Sequence, residues 1–170
     1  MRPSPAIFPI GSIDARWITL DDDVMGGHSR SRIAVRDDVL TFSGTTSLED
    51  NGGFASIRAR GAFDLRHATA MRLRVRGDGR AYQVRLATDA RHRGSNVSWR
   101  GDFDTRAGEW CEVTVDFATM QPTYRGTTLD GPPLDLSKVE EIGLLIGDGR
   151  AGDFVLDVDW IRPLDATPGA

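Results

Sequence analysis

The sequence predicts an all-β protein, a β-sandwich or jelly roll of about nine or more strands with few short helical turns. Three observations carry this. Apolar and polar residues alternate with period two through most of the chain. Short clusters of Gly, Asp and Asn, the residues that supply turn geometry, separate the alternating runs. One face of each run is polar, whereas strands of a parallel α/β sheet, buried on both faces, read as continuous apolar stretches.

Taken in order, Ser29–Val35 and Val39–Ser43 alternate on either side of Asp37-Asp38 and read as paired strands. Phe54–Arg60 follows the turn Asp50-Asn51-Gly52-Gly53, and Met71–Arg76 precedes Gly77-Asp78-Gly79. That second glycine turn, with its Asp-Gly pair, reads as a hairpin into Ala81–Thr88. Asn96–Asp104, Trp110–Phe117, Glu141–Ile146 and Phe154–Ile161 complete the set, with turns at Ala107-Gly108 and Gly147-Asp148-Gly149. Gln121–Leu136 holds Pro122, Pro132 and Pro133 and reads as a long connection. Asp64–Ala70 and Ser137–Glu140 are the stretches suited to a helical turn. The organisation expected is one domain over residues 11–163, with loose segments at 1–10 and 164–170.

With 170 residues, the chain can bury about 70% of its unfolded surface without metal or disulfide staples. A net charge of −4 points away from nucleic acid. Cys111 is the single cysteine, so no intramolecular disulfide forms, and alternation groups it inward with Val113 and Val115. No stretch has the apolar core of a signal peptide or approaches the roughly 18 apolar residues of a membrane span. The expectation is a cytoplasmic protein whose membrane contact is at most peripheral to an inner membrane.

Arg72, Arg74 and Arg76 alternate with Met71, Leu73 and Val75, and Gln83 and Arg85 alternate with Tyr82, Val84 and Leu86. Residues two apart share a strand face, so Arg72, Arg74, Arg76 and Arg85 are expected to form one basic face, extended by Arg58 and Arg60. Either a solvated lattice answered by Asp102, Asp104, Glu112 and Asp116 or a surface for docking a partner fits this pattern. Asp21-Asp22-Asp23 supplies oxygens of the kind Ca²⁺ takes, with Asn51, Asp157 and Asp159 as further donors. Capping of the amides around Gly26-Gly27 is the preferred reading, and no metal is assigned.

His28, His67 and His92 have no zinc spacing, and no nucleophile elbow or dinucleotide fingerprint is present. Nothing singles out a catalytic residue or a cofactor. Among the aromatic residues, Trp99, Trp160 and Tyr82 fall on apolar faces, the Tyr82 hydroxyl reaching toward the rim. Trp110 falls on a polar face and is the best exposed platform for a sugar ring.

Three glycine-anchored segments recur in the first half: Asp22-Asp23-Val24-Met25-Gly26-Gly27-His28-Ser29, Asn51-Gly52-Gly53-Phe54-Ala55-Ser56 and Arg76-Gly77-Asp78-Gly79-Arg80-Ala81-Tyr82. With Phe42-Ser43-Gly44, Gly108-x-Trp110, Arg125-Gly126 and the closing Phe154-x-Leu156-x-Val158-x-x-Ile161, the ordered set resembles the complex I intermediate-associated protein 30 family. The resemblance implies a galactose-binding-domain-like jelly roll, related in shape to carbohydrate-binding modules. It also implies a non-catalytic, cofactor-free chaperone that binds subunits or assembly intermediates of NADH:ubiquinone oxidoreductase. The alternative is a module recognising a carbohydrate or similar polar metabolite at the loop end of the sandwich. On either reading the candidate contact residues are Asp22, Met25, Gly26, Gly27, Ser29, Asn51, Gly52, Gly53, Asp78, Arg80 and Tyr82. Asp22, Asn51 and Arg80 are the strongest of these because their side chains offer polar contacts.

Overall fold

A computed structural model describes residues 8, 9 and 17–166, and for Phe8, Pro9, Val24, Met25 and Asn51 the backbone alone. The loose segments expected at 1–10 and 164–170 therefore fall largely outside the described residues. The strands are β1 (Phe8–Pro9), β2 (Trp17–Thr19), β3 (Arg30–Arg36), β4 (Val39–Thr46), β5 (Ala55–Phe63), β6 (Ala68–Arg76) and β7 (Ala81–His92). They continue with β8 (Ser95–Asp104), β9 (Trp110–Asp116), β10 (Gln121–Tyr124), β11 (Thr127–Thr128), β12 (Val139–Ile146) and β13 (Gly152–Asp165). Short 3-10 turns occupy Asp22–Met25, Glu49–Asn51 and Phe117–Thr119.

The strands form two antiparallel sheets. One is six-stranded, in the order β3-β4-β13-β6-β9 with β1 also on β13; the other is seven-stranded, in the order β11-β10-β8-β7-β12-β5-β2. This is the all-β sandwich that the alternation predicts. Inward residues of both sheets interdigitate: Leu40, Phe42, Met71, Leu73, Val75, Leu156 and Val158 from the first meet Ile57, Tyr82, Leu86, Trp99, Ile142 and Leu144 from the second. Each such fully buried side chain contributes roughly 1.5–3 kcal/mol of transfer free energy. The Phe42 ring packs edge-on against Phe154 at 4.9 Å between centroids, and Tyr82 lies 6.1 Å from Phe103.

Several expectations are corrected. Gly77–Gly79 is not a hairpin, because β6 and β7 belong to different sheets and the segment carries the chain across the sandwich. Gly77 lies so close to Thr105 that a Cβ there would meet the Thr105 side chain at 2.3 Å. The 121–136 connection contains a hairpin of its own, β10 with β11, which adds to the edge of the seven-stranded sheet through Pro122 opposite Trp99. Pro122 has no N–H to give, which suits an outer position in a sheet. Residues 64–70 and 137–140 hold turns and strand starts, not helical turns. Trp160 is not a core residue. A register shift between Val158 and Trp160 inserts one extra residue in β13, which turns Trp160 to the outside. There the Arg162 guanidinium lies 4.1 Å from the centre of its ring.

Candidate functional site

The glycine segments meet at one corner of the sandwich, and two of them are organised by a single buried carboxylate. Asp22 opens the first 3-10 turn and is 1% exposed. Its Oδ1 accepts the Ser29 N–H at 2.8 Å, and its Oδ2 accepts the Ser29 hydroxyl at 2.6 Å, the Gly53 N–H at 2.6 Å and the Phe54 N–H at 3.2 Å. Burial by itself would raise the pKa of Asp22. The Ser29 hydroxyl and the amides of Gly53, Ser29 and Phe54 outweigh it and hold the carboxyl below its ordinary value of 3.8. The flanking glycines follow from this packing. A Cβ on Gly27 would meet the Asp22 carboxyl carbon at 2.5 Å, and one on Gly52 would meet Oδ2 at 2.7 Å. Gly26 closes the turn with a φ of +88°, a conformation that L residues with side chains rarely adopt.

Asp21 works in parallel, accepting the Ser31 N–H at 2.9 Å, the Ser31 hydroxyl at 2.6 Å and the Ser56 N–H at 3.2 Å. Amides and hydroxyls thus take the oxygens of Asp21 and Asp22 that the calcium alternative would have used, while Asp23 is exposed with Arg30 4.0 Å away. Asp157 and Asp159 of β13 pair with Arg76 and Arg74 of the neighbouring strand β6 in the six-stranded sheet. Among the described residues no cluster of potential metal ligands is assembled.

The third glycine segment is tied in by Arg80. Its guanidinium bonds Asp148 at both carboxylate oxygens, 2.9 Å from Nε and 2.6 Å from Nη2. It also donates to Thr46 Oγ1 and to the carbonyls of Arg150, Gly152 and Asp153. The hydrogen bond from Arg80, with its charge, holds the Asp148 carboxyl below its usual value. Asp78 accepts the Arg80 N–H and the Tyr82 hydroxyl on one oxygen, both at 3.1 Å, and the Val155 N–H on the other at 2.9 Å. Burial, then the Asp78 charge, raises the Tyr82 hydroxyl pKa. Asp22, Gly27, Ser29, Gly52 and Gly53 are therefore brought together, while Asp78, Arg80 and Tyr82 form a neighbouring cluster. Both sets have their polar atoms bonded within the protein. The side chains of Met25 and Asn51 lie outside what is described.

The corner frames a cleft. Its floor is the outer face of the seven-stranded sheet, and its volume is about 610 Å³, within the roughly 300–1,000 Å³ typical of ligand sites. Gly52, Gly53 and Phe54 line one side together with Gly147 and Gly149 of the β12–β13 turn. Across the floor, Arg58 of β5 sits opposite Gly143 of β12, Gly143 opposite Arg85 of β7, and Arg85 opposite Arg100 of β8. Gly143 leaves a gap in the row, where a Cβ would touch Arg58 Cγ and Arg85 Cβ at 3.4 Å each. Gln83, Asn96, Ser98 and Thr123 add neutral polar groups.

The three arginines are not equivalent. Arg58 pairs with Glu141 at 3.1 Å and Arg100 with Asp102 at 2.8 Å. Arg85 has no carboxylate within 4.0 Å among the described residues, and its bonds go to Gln83 Oε1 at 2.9 Å, Thr123 Oγ1 at 2.8 Å and, at 3.4 Å, Ser98 Oγ. Burial first, then repulsion from Arg100 and Arg58, brings its pKa down to about 10, so it remains charged at neutral pH.

The single basic face expected from alternation is therefore split. Arg72, Arg74 and Arg76 lie on β6 in the six-stranded sheet, while Arg58, Arg60 and Arg85 lie on the opposite side of the sandwich. Arg74 pairs with Asp159 at 3.2 Å and Arg76 with Asp157 at 2.8 Å. Both guanidiniums lie over Trp110, at 5.2 and 4.8 Å from its ring centre. The residues that sequence reasoning did not single out are Arg100, Asn96, Ser98 and Thr123. The first three are the polar half of the alternation in β8, and Thr123 lay in the stretch read as a connection.

The two packed antiparallel sheets define an all-β sandwich whose fold is shared with carbohydrate-binding modules. The family 11 carbohydrate-binding module from Clostridium thermocellum, in complex with a β-1,3-1,4-mixed-linked tetrasaccharide, superposes with a TM-score of 0.67 at 13% identity, covering 98% of each chain. At that identity the likeness is one of fold. The family comes from the sequence: the model for complex I intermediate-associated protein 30 (CIA30) matches residues 11–158, and the chain belongs to that family. The mitochondrial complex I intermediate-associated protein 30 of Mus musculus is 29% identical over 167 residues, covering 86% of this chain and 51% of its own. The probable counterpart in Caenorhabditis elegans is 27% identical over 172 residues, covering 88% and 50%. The chain thus spans about half the length of the curated relatives it matches.

Proposed function

We propose that this domain is a non-catalytic binding protein that holds subunits or assembly intermediates of respiratory complex I. The observation that carries the reading is family membership across residues 11–158, together with relatives named for their association with complex I intermediates. The corner geometry is compatible with it. Asp22, Asp78 and Arg80 are engaged in internal bonds, and the acid–base contact at the cleft rim, His28 with Asp50 at 2.6 Å, is solvent-exposed and bonded to no nucleophile among the described residues. On this reading the protein works in the compartment that holds the peripheral part of complex I, touching the membrane only through its partner. No helix among the described residues is long and apolar enough to cross a membrane.

A second reading, recognition of a carbohydrate, is supported by the cleft and by the fold shared with a sugar-binding module. It has less support because Phe54 is the one aromatic residue among those lining the cleft, and the floor is charged. Trp110, the aromatic platform expected from sequence, lies on the other sheet against Arg74 and Arg76.

Deleting the gene in its native host and resolving membrane complexes on native gels tests the proposal. The expected result is less assembled complex I and more subcomplexes, restored by the wild-type chain. Undiminished complex I in the deletion strain would reject it.

A further inference from the structure

The arginine row on the cleft floor makes little sense as scaffold. Three guanidiniums, those of Arg58, Arg85 and Arg100, line the floor, and with exposed Arg60 beside them outside the cleft they are answered by two carboxylates, Glu141 and Asp102. Glu141 serves both Arg58, at 3.1 Å, and Arg60, at 3.5 Å. Arg85, central in the row and directly opposite Arg100, is left to neutral partners. Partly burying a cation between two like charges costs stability unless something compensates. Arg74 and Arg76 on the other sheet each have their own aspartate, whereas Arg72 there, like Arg85, bonds a neutral hydroxyl, that of Thr114, in an exposed contact. Nη2 of Arg85 has no hydrogen-bond partner among the described residues, whereas Nε and Nη1 are held by Gln83, Ser98 and Thr123. The planar head is thus fixed in orientation with donor capacity to spare. A guanidinium held this way offers the two N–H of Nη2 to an oxyanion as a charged, pre-oriented donor.

We propose that the cleft binds a carboxylate presented by an acidic, extended polypeptide segment of a protein partner, with Arg85 as the central contact flanked by Arg58 and Arg100. This rests on the protein-binding reading above and names the chemistry of that site. A polypeptide fits the lining better than a sugar: the floor is a row of charges and amides, with no stacked aromatic pair. Asn96, Gln83 and Ser98 offer the neutral donors and acceptors that a peptide backbone takes up. Gly149 at one end, where a Cβ would meet nothing within 4 Å, leaves open space over the β12–β13 turn for the chain to continue. The overall charge of −4 would by itself repel an acidic segment, so binding depends on this local reversal of sign.

The test uses the whole chain and a fluorescein-labelled hexaglutamate with an amidated C-terminus, read by fluorescence anisotropy at low and physiological salt. Hexaglutamine is the uncharged control, and digalacturonate and inorganic phosphate are competitors from other sources of the same oxyanion. The expected result is saturable binding of hexaglutamate but not hexaglutamine, weakened by salt. Arg85→Gln should weaken it roughly tenfold or more, the worth of one lost charge-assisted contact. Arg72→Gln on the opposite sheet should leave it unchanged. Arg85→Gln should also keep, or slightly raise, the melting temperature, because it removes repulsion; Arg100→Gln provides a second variant of the same site.

Absence of saturable binding, or binding indifferent to both Arg85→Gln and Arg100→Gln, would overturn the inference. Digalacturonate or phosphate competing at lower concentration than hexaglutamate would overturn the polypeptide as occupant. Hexaglutamate binding without any defect in complex I on gene deletion would sink the assembly role and leave the cleft assignment standing. The converse result would do the opposite.

Discussion

Replacing Asp22 with asparagine keeps the shape of the side chain and removes its charge, which isolates what the buried carboxylate contributes. In the native corner Oδ2 faces three donors and Oδ1 faces one. An amide must set its NH₂ at one of these positions. The cheaper orientation points it at the Ser29 N–H and leaves that donor without a partner, at about 1–3 kcal/mol. The three bonds to the other oxygen survive but become neutral, each losing about 1 kcal/mol relative to a charge-assisted bond. Relief from burying a charge offsets part of this. A net loss of about 2–4 kcal/mol follows, and at about 2–4 °C per kcal/mol for a chain of this size the melting temperature falls by roughly 5–15 °C. Calorimetry and urea unfolding at neutral pH measure it, with an unchanged m-value expected if the unfolded state is unaffected. A melting temperature within about 2 °C of wild type, with partner binding lost, would refute the scaffold argument and make Asp22 a contact residue.

Other expectations follow from the same geometry. Arg80→Lys should destabilise by about 3–5 kcal/mol despite keeping the charge, because an ammonium cannot grip both Asp148 oxygens and three carbonyls; chemical denaturation reads it. Gly27→Ala should unfold at lower denaturant, since its Cβ would lie 2.5 Å from the Asp22 carboxyl carbon. Asp22 and Asp148 both have folded pKa values below the ordinary 3.8. Their stabilisation is complete above that value and is lost as pH falls below it and through the folded values, so acid titration of stability should steepen there, and less steeply in Asp22→Asn. Arg74→Gln should change stability by under about 1 kcal/mol, as expected of a largely exposed ion pair, and Arg76→Gln should cost more because its partner Asp157 is mostly buried; thermal melts check both.

The strands were largely legible in the sequence because each inward residue of β6, β7 and β8 alternates with a polar one. Sheet membership was not. Arg72, Arg74 and Arg76 look continuous with Arg85 in the linear pattern, and the Gly77–Gly79 segment between them has the composition of a hairpin turn. Only the close approach of Gly77 to Thr105 and the crossing of the chain separate the two arginine sets. Trp160 was misplaced for a related reason: a bulge shifts alternation by one residue and leaves no compositional mark. The glycine segments were legible as corners, and Asp22 does cap amides, though those of Ser29, Gly53 and Phe54, while the Gly26 and Gly27 amides go to backbone carbonyls. The cleft was not legible. Gln83 and Arg85 occupy polar-face positions that normally see solvent, and what sinks them is the rim supplied by loops distant in sequence, from Gly52–Phe54 and Gly147–Gly149. Arg85 lacks a carboxylate partner only because Glu141 and Asp102 are taken by Arg58 and Arg100, a matter of register across four strands.

The most direct measurement is affinity purification of the natively expressed, tagged chain after gentle solubilisation, with the Arg85→Gln variant in parallel and bound proteins quantified by mass spectrometry. The account predicts enrichment of complex I subunits with the wild-type chain and a marked drop with Arg85→Gln at equal protein level. Wild-type protein that enriches no complex I subunit would contradict the assembly-factor reading. Equal enrichment by both forms would take the partner off the cleft.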